Sequence, residues 1–271
     1  MKKIVLLISI FVLAISLVGC GGDTKKTEKP AAKEIKIGAT AGPHAQVVEA
    51  VAKEGKKQGL NIKVIEFSDY ITPDKALADG EIDLVSYQHK PFMENFNKQN
   101  KSDLVDIGRT ILMRMGIYSD KHKDLKNLPE SAVIAIPNDP TNGGRGLVLL
   151  EKAGLIKLKE GVGFKATAKD VVENPKKFQF KELEAAQLPR SLPDVDAAVI
   201  TMNYVMSGGL DVQKQGLFWE TKDEPLAVMI LAVKGKDKDN ATYLKIAELF
   251  HSEGVRKYIA DTFKGTIVPA E

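Results

Sequence analysis

The sequence has a single cysteine among its 271 residues, and this scarcity excludes a fold held together by internal disulfides. Histidine is also rare, and the four in the chain are scattered without the i, i+4 pair or carboxylate-rich motif of a metal site. A Gly-x-Ser-x-Gly elbow, which would carry a hydrolase nucleophile, is missing as well. We therefore expect neither catalysis nor a metal or other cofactor, and the hydrophobic core has to provide the stability.

The sequence also lacks a large excess of positive or negative charge. The 39 Lys and Arg residues nearly balance the 36 Asp and Glu residues, and the formal net charge is +3. Removing the N-terminal Lys2 and Lys3 lowers that charge by two, to +1. Such a balance predicts no nucleic-acid partner, since domains that bind nucleic acid are strongly basic.

What the sequence does have is an apolar run from Ile4 to Val18, preceded by the two lysines. The run is shorter than the roughly 20 residues that span a membrane, so we interpret residues 1–19 as a secretory signal peptide. It ends in Leu17-Val18-Gly19-Cys20, which resembles the lipobox of bacterial lipoproteins, where the cysteine thiol is acylated. The alternative is that Cys20 is an ordinary apolar residue at the end of the run.

The segment that follows, residues 20–34, is polar, rich in lysine and without apolar periodicity. It cannot bury enough apolar surface to offset the entropy of ordering its backbone. We therefore predict a flexible tether that carries a lipid at Cys20 and holds the protein at the extracytoplasmic face of the cell membrane. A basic patch for anionic lipid or nucleic acid is the weaker alternative, because Asp23 and Glu28 interrupt the lysines and the overall charge is nearly balanced.

From residue 35 onward, short β-branched runs alternate with helical patterns, which predicts an α/β fold with mostly parallel strands. The predicted strands are Ile35–Thr40, Asn61–Phe67, Ile82–Tyr87, Ala132–Pro137, Phe178–Leu183, Asp196–Thr201 and Leu226–Val233. Two extended apolar stretches, Thr110–Tyr118 and Leu226–Val233, predict two crossings between lobes. We expect an outer lobe of residues 35–111 plus 232–271 and an inserted middle lobe of residues 112–231, with a small-ligand cleft between them.

The segment from Asn142 to Gly146 predicts the start of a helix. Its glycines suggest a phosphate loop, but the Gly-Lys-Ser/Thr ending of such loops is missing. Free backbone N–H groups at a helix start attract anions, and Arg145 adds a planar, two-pronged donor that suits a carboxylate. The alternative, a surface arginine on a solvated turn, is equally compatible with the sequence.

Aromatic residues are found at the ends of two predicted strands. Tyr70 follows the strand Asn61–Phe67, while Tyr87, His89 and Phe92 lie at the end of the next strand along the chain. Strand ends at one edge of a sheet lie close together, so these side chains predict a shared aromatic pocket. Ordinary core packing is the alternative.

Several strings in the chain resemble the NlpA/MetQ family of methionine-binding lipoproteins. The strings are Gln88-His89-Lys90-Pro91, Pro137-Asn138-Asp139-Pro140-Thr141-Asn142 with Arg145, Val171-Val172-Glu173-Asn174-Pro175, and Gln187-Leu188-Pro189-Arg190-Ser191. They belong to longer similar segments, which are Ile35–Asn97, Ile136–Arg145, Gly154–Gly163, Asp170–Lys176 and Glu182–Ser191. Because independent strings occur in the right order over nearly all of the chain after the tether, the resemblance is specific.

The resemblance implies a two-lobed type II periplasmic-binding-protein fold with the ligand cleft between the lobes. It implies that the protein captures L-methionine and delivers it to the permease and ATPase subunits of an ABC importer, without performing chemistry on the ligand. It also implies that the thioether side chain lies among Tyr70, Tyr87, His89 and Phe92. In the same way, it implies that Arg145 holds the ligand carboxylate.

Two positions depart from the family pattern: Thr201 and Val228 stand where family members usually have asparagines that fix the amino-acid head group. Asn203 is left as a partial substitute, so we expect Thr201 and Asn203 to lie at the head group. Losing two hydrogen bonds to a charged group would weaken methionine binding roughly 100-fold or more. A methionine derivative or Met-containing dipeptide is therefore an alternative ligand, and a surface adhesin-type lipoprotein is an alternative function.

Overall fold

The computed structural model describes residues 33–271; the predicted signal peptide, Cys20 and most of the predicted tether lie outside the described residues. The strands are β1 (Glu34–Thr40), β2 (Asn61–Phe67), β3 (Leu84–Gln88), β4 (Leu104–Leu112), β5 (Met115–Tyr118), β6 (Val133–Pro137), β7 (Lys157–Leu158), β8 (Val171–Glu173), β9 (Gln179–Leu183), β10 (Ala197–Thr201), β11 (Gly216–Trp219), β12 (Val228–Lys234) and β13 (Val268–Pro269). The α-helices are α1 (Pro43–Lys57), α2 (Thr72–Asp79), α3 (Lys90–Asn100), α4 (Pro140–Lys152), α5 (Leu188–Ser191), α6 (Met202–Ser207), α7 (Val212–Gln215), α8 (Ala241–Leu249) and α9 (Glu253–Phe263). The seven predicted strands are confirmed, each within about two residues of its predicted bounds.

Two larger sheets organise the fold. One has the strand order β13-β4-β12-β3-β1-β2 and the other has the order β11-β5-β10-β6-β9. The pairs β1/β2, β1/β3, β10/β6 and β6/β9 are parallel, whereas β10/β5, β11/β5, β12/β3, β12/β4 and β13/β4 are antiparallel. The expectation of mostly parallel pairing is therefore wrong, because the strands next to each crossing run against the parallel part of their sheet.

The chain passes between the two sheets twice. The first passage lies between β4 and β5, and the second lies between β11 and β12. The predicted boundary between residues 231 and 232 falls inside β12, which pairs with β4 from Val228 onward and with β3 from Ile230 onward. The second passage therefore precedes Val228, because an uninterrupted strand cannot belong to both sheets.

Helix α1 shows how the sequence pattern builds the core. Pro43 stands at its first position, where a missing N–H group costs nothing, and Lys56 and Lys57 complement the negative end of the helix dipole. Val48 and Val51 are fully buried, as the apolar periodicity predicts. Within residues 33–271, no helix has both the length and the apolar character needed to cross a membrane.

One buried hydrophobic cluster contains residues of both sheets, including Ile37 in β1 and Ile200 in β10. A second cluster, with Ile134 of β6 and Leu150 of α4, covers part of the five-stranded sheet. Residues 32–271 accordingly form one compact unit. The cavity described next is lined by residues that both sheets position.

Candidate ligand-binding site

A cavity between mostly buried side chains spans about 320 Å³ of empty space, which includes the open solvent at its mouth. Its lining residues are His44, Tyr70, Tyr87, Gln88, His89, Phe92, Met113, Asn142, Arg145, Thr201 and Met229. Of the seven ligand-binding residues predicted from the sequence, six line this cavity, and Asn203 does not. The lining includes residues next to both passages, since Met113 follows β4 and Met229 lies at the start of β12.

Three aromatic rings form one wall of the cavity. The ring centroids of Tyr70 and Tyr87 are 5.9 Å apart, and the edge-to-face pair of Tyr87 and Phe92 has a spacing of 6.1 Å. The Tyr87 hydroxyl donates a hydrogen bond of 2.9 Å to the backbone oxygen of Tyr70, which fixes the loop after β2 against β3. The rings therefore meet at the ends of β2 and β3, which lie on either side of β1 in the six-stranded sheet, and together they offer an apolar, polarizable surface.

His89 is the N-cap of α3 and joins the aromatic wall to α4. Its Nδ1 accepts a hydrogen bond of 3.2 Å from the backbone N–H of Phe92, and its Nε2 lies 3.2 Å from Oδ1 of Asn142. Burial, together with the positive charge of Arg145, lowers the pKa of His89 to about 3. The ring is therefore uncharged at neutral pH, and the two contacts assign the proton to Nε2.

Arg145 is buried, with 2% exposure, so the alternative of a solvated surface arginine is wrong. Its Nε donates to Oε1 of Glu220 at 2.7 Å, and its Nη2 donates to Oε2 at 2.6 Å. Nη2 also donates to the backbone oxygen of Met113 at 3.1 Å. Two prongs of the guanidinium are therefore held by the protein, and Nη1 has no acceptor among residues 33–271. Because Nε and Nη2 are bonded to Glu220 and to the Met113 oxygen, these two nitrogens cannot bind a ligand carboxylate in this arrangement. A hydrogen bond from Nη1 to the ligand is available.

The predicted helix start is confirmed, but α4 begins at Pro140, before Asn142. The Asp139 carboxylate caps the helix and accepts a hydrogen bond of 2.8 Å from the backbone N–H of Asn142. Burial raises the pKa of Asp139, and the hydrogen bonds from Asn142 oppose that shift. The expected anion position at the helix start is thus filled by a carboxylate of the chain itself.

Thr201 and Asn203 lie at the junction of β10 and α6, next to the Tyr70 hydroxyl. Oγ1 of Thr201 and Oη of Tyr70 share a hydrogen bond of 2.8 Å, which links the end of β10 to the loop after β2. Asn203 is fully buried, and both of its amide atoms have no hydrogen-bond partner in the described part of the chain. Val228 is half-buried and does not line the cavity, whereas its neighbour Met229 does.

Several lining residues were not predicted as ligand contacts. They are His44, Gln88, Met113, Asn142 and Met229. A signal existed for Met113 and Met229, because both lie in the apolar stretches that predicted the passages between the sheets. No local signal identified Glu220, which meets Arg145 across 75 residues of chain.

Comparisons with known proteins agree with the motifs. The sequence model of the NlpA lipoprotein family matches residues 35–271. The D-methionine-binding lipoprotein MetQ of Escherichia coli K12 is 41% identical over 258 residues, which are 94% of this chain and 93% of that protein. The corresponding protein of Yersinia pestis is 41% identical over 269 residues, with 98% and 97% coverage.

Solved structures show the same similarity in three dimensions. The nutrient binding protein of Burkholderia cenocepacia bound to methionine has a TM-score of 0.85 and 44% identity, covering 88% of this chain and all of that one. A crystal structure of the methionine binding protein MetQ has a TM-score of 0.84 and 40% identity, with 88% and 98% coverage. The type II binding-protein fold and the resemblance seen in the sequence motifs are thereby confirmed, and the chain belongs to the NlpA lipoprotein family.

Proposed function

We propose that this protein is the substrate-binding component of an ABC importer and that it delivers methionine to the permease and ATPase subunits. The cavity carries the proposal, because it combines three aromatic rings with one buried guanidinium. A thioether and a carboxylate are the groups that suit such a combination. The names of the similar MetQ proteins and the methionine in the Burkholderia structure support the same ligand.

In the proposed pose, the thioether lies against Tyr70, Tyr87 and Phe92, and the carboxylate accepts a hydrogen bond from Nη1 of Arg145. Burying a methionine-sized side chain contributes about 1.5–3 kcal/mol. A hydrogen bond between charged groups contributes a similar 1.5–3 kcal/mol. Since neither contribution is dominant, we expect tight binding to require both the aromatic wall and Arg145.

A methionine derivative or a Met-containing dipeptide is a second candidate ligand. It is favoured by the head-group side of the cavity, where Thr201 is hydrogen-bonded to Tyr70 and Val228 is not part of the lining. These are the two positions where family members usually have asparagines. Asn203, two residues after Thr201, has a donor and an acceptor without a partner among residues 33–271, and we assign it to the head group together with Thr201.

We also propose that the mature protein begins at Cys20, carries a lipid there and faces the outside of the cell membrane. Membership of a lipoprotein family supports this anchor. A lipid followed by a tether of about a dozen residues would keep the binding protein near a membrane importer and raise its effective concentration there. Labelling of the full chain with a radioactive fatty acid, and its loss in Cys20→Ser, tests the anchor.

Calorimetry tests the ligand. Because residues 32–271 form one compact unit, protein lacking residues 1–20 is unfolded and refolded to remove carried-over ligand. It is then titrated with L-methionine, D-methionine, other amino acids and Met-containing dipeptides. We expect heat with methionine at concentrations well below millimolar; no heat at millimolar methionine would exclude it as the ligand, and a stronger dipeptide signal would favour the second candidate.

A further inference from the structure

His44 is a polar residue of the cavity that the proposed pose does not use. His44 is the second residue of α1, is 2% exposed and lines the cavity. Its Nδ1 has no hydrogen-bond partner among residues 33–271. A buried polar atom without a partner is destabilising, so such an atom beside a ligand cavity indicates a contact that the ligand completes.

The amino group of an amino-acid ligand needs a contact of this kind. The cavity lining has one guanidinium, that of Arg145, and the described residues contribute no carboxylate to it. An ammonium group in the cavity is therefore bound by uncharged acceptors. Burial lowers the pKa of His44 to about 3, so its imidazole is uncharged at neutral pH and keeps one acceptor nitrogen.

The start of α1, which carries His44, lies near the residues that we assign to the ligand head group. Gly42, just before α1, lies so close to Asn203 that a Cβ on the glycine would be 3.8 Å from the asparagine Oδ1. Thr201, which lines the cavity, is two residues before Asn203. The start of α1 therefore lies beside α6, close to Thr201, which is one of the two positions where the family asparagines are missing.

Gln88 also lines the cavity, and its Oε1 has no hydrogen-bond donor in the part of the chain that the structure describes. Its Nε2 donates a hydrogen bond of 2.6 Å to Oδ1 of the buried Asp74, which ties the side chain to α2. Gln88 also lies between Tyr87 and His89 at the end of β3, on the aromatic side of the cavity. His44 is therefore the better candidate for the head group.

We propose that His44 accepts a hydrogen bond from the α-amino group of the ligand and takes over part of the role of the asparagines missing at positions 201 and 228. This inference rests on the proposed function, because it assigns one contact of an amino acid in the same cavity. It makes His44 a specificity-determining residue, which favours ligands with a free amine over analogues that lack one.

The test compares methionine, in its tighter-binding enantiomer, with 4-(methylthio)butanoate, which lacks only the α-amino group. We expect the refolded wild type to bind methionine about 10-fold to 100-fold more tightly. His44→Ala is expected to lose most of this preference, because methionine affinity falls while analogue affinity stays the same. His44→Asn is expected to keep part of it, since the asparagine oxygen lies near the position of Nδ1.

Thr110→Val is the matched control, because the Thr110 Oγ1 is also buried without a partner from residues 33–271 but Thr110 does not line the cavity. If the wild type binds methionine and 4-(methylthio)butanoate with equal affinity, the proposed role of His44 is wrong, and no variant is needed to show it. The proposed function would stay intact. An equal loss of affinity for both ligands in His44→Ala would also contradict the role of His44. So would a result in which Gln88→Leu loses the preference for methionine while His44→Ala keeps it. Binding of neither ligand to the wild type contradicts the proposed function itself, and the inference with it.

Discussion

The buried ion pair of Arg145 and Glu220 determines the charge of the cavity. Both side chains are at most 3% exposed, and their charges cancel. The cavity therefore offers a ligand the directed N–H donor of Nη1 rather than a free positive charge. A zwitterionic amino acid, which is itself neutral overall, is compatible with such a site, because it brings no uncompensated charge into the interior.

Glu220→Gln tests the importance of this pair for stability. We expect the free energy of unfolding to fall by about 3 kcal/mol, because removal of one partner leaves a buried charge uncompensated. Denaturant titration measures the change. Glu130→Gln is the matched control, since Glu130 pairs with Lys177 at the surface and the expected loss is below about 1 kcal/mol. Equal losses in both variants would contradict a special role for the buried pair.

Asp74 predicts a dependence of stability on pH. It is fully buried, and burial raises its pKa to about 7, opposed by the hydrogen bond that Asp74 accepts from Gln88. The Asp74 carboxyl group therefore binds its proton more tightly in the folded protein than in the unfolded chain, where its pKa is about 3.9. The resulting stabilisation is fully present below about pH 4 and is lost as the pH rises towards 7.

We expect Asp74→Asn to remove this dependence, because the asparagine stays neutral and can still accept the hydrogen bond from Gln88. Relative to the variant, the wild type should lose on the order of 4 kcal/mol of unfolding free energy between pH 4 and pH 7. Urea titrations across this range measure it. Asp79→Asn, at an exposed position of the same helix, is the control; parallel curves for the wild type and Asp74→Asn would refute the prediction.

At the scale of elements, α4 is the helix that brings Asn142 and Arg145 to the cavity. Its position depends on Gly144, where a Cβ would be 1.9 Å from the backbone oxygen of Phe164. That oxygen belongs to the short 3₁₀ turn Gly163–Lys165, and moving it means moving the whole turn. The glycines that resembled a phosphate loop therefore serve close packing.

We expect Gly144→Ala to lower the free energy of unfolding by about 1–3 kcal/mol and to weaken methionine binding, because α4 has to shift away from the turn. Gly254→Ala in α9 is the matched control: its nearest neighbour is the flexible side chain of Glu54, which can move away. An alanine in a helix is favoured over glycine by about 1 kcal/mol, so the control should be neutral or more stable. Thermal unfolding and calorimetry measure both effects, and a stabilised Gly144→Ala would contradict the close contact.

The sequence predicted local structure better than contacts between distant residues. The strands and the aromatic wall follow from β-branched runs and strand ends, which are local patterns. The start of α4 was placed too late, although Asp139 and Pro140 carry the usual cap and first-turn signals, because the glycines after them weaken the helical pattern. Strand direction and the partner of Arg145 depend on the path of the chain, since Glu220 is 75 residues away, and no local pattern encodes them.

At the scale of the molecule, the two sheets share one hydrophobic core. Within residues 33–271, the chain connects the sheets through two short segments, one between β4 and β5 and one between β11 and β12. Ile37 of β1 and Ile200 of β10 belong to the same buried cluster. The hydrogen bond between Tyr70 and Thr201 and the one from the Tyr204 hydroxyl to the Ser68 oxygen also join the two halves. The predicted division into an outer lobe and an inserted lobe stays a prediction, but unfolding of one half would expose core residues of the other.

We therefore expect a single cooperative unfolding transition. Trp219, the only tryptophan in the sequence, lies in β11 of the five-stranded sheet, so its fluorescence reports on that half, whereas far-UV circular dichroism reports on the whole. The two transitions should coincide in urea, and methionine at 100 times its dissociation constant should raise the unfolding free energy seen by both probes by about 2.7 kcal/mol. If methionine shifted the fluorescence transition alone, the two halves would unfold independently, and binding between them would no longer explain the stabilisation.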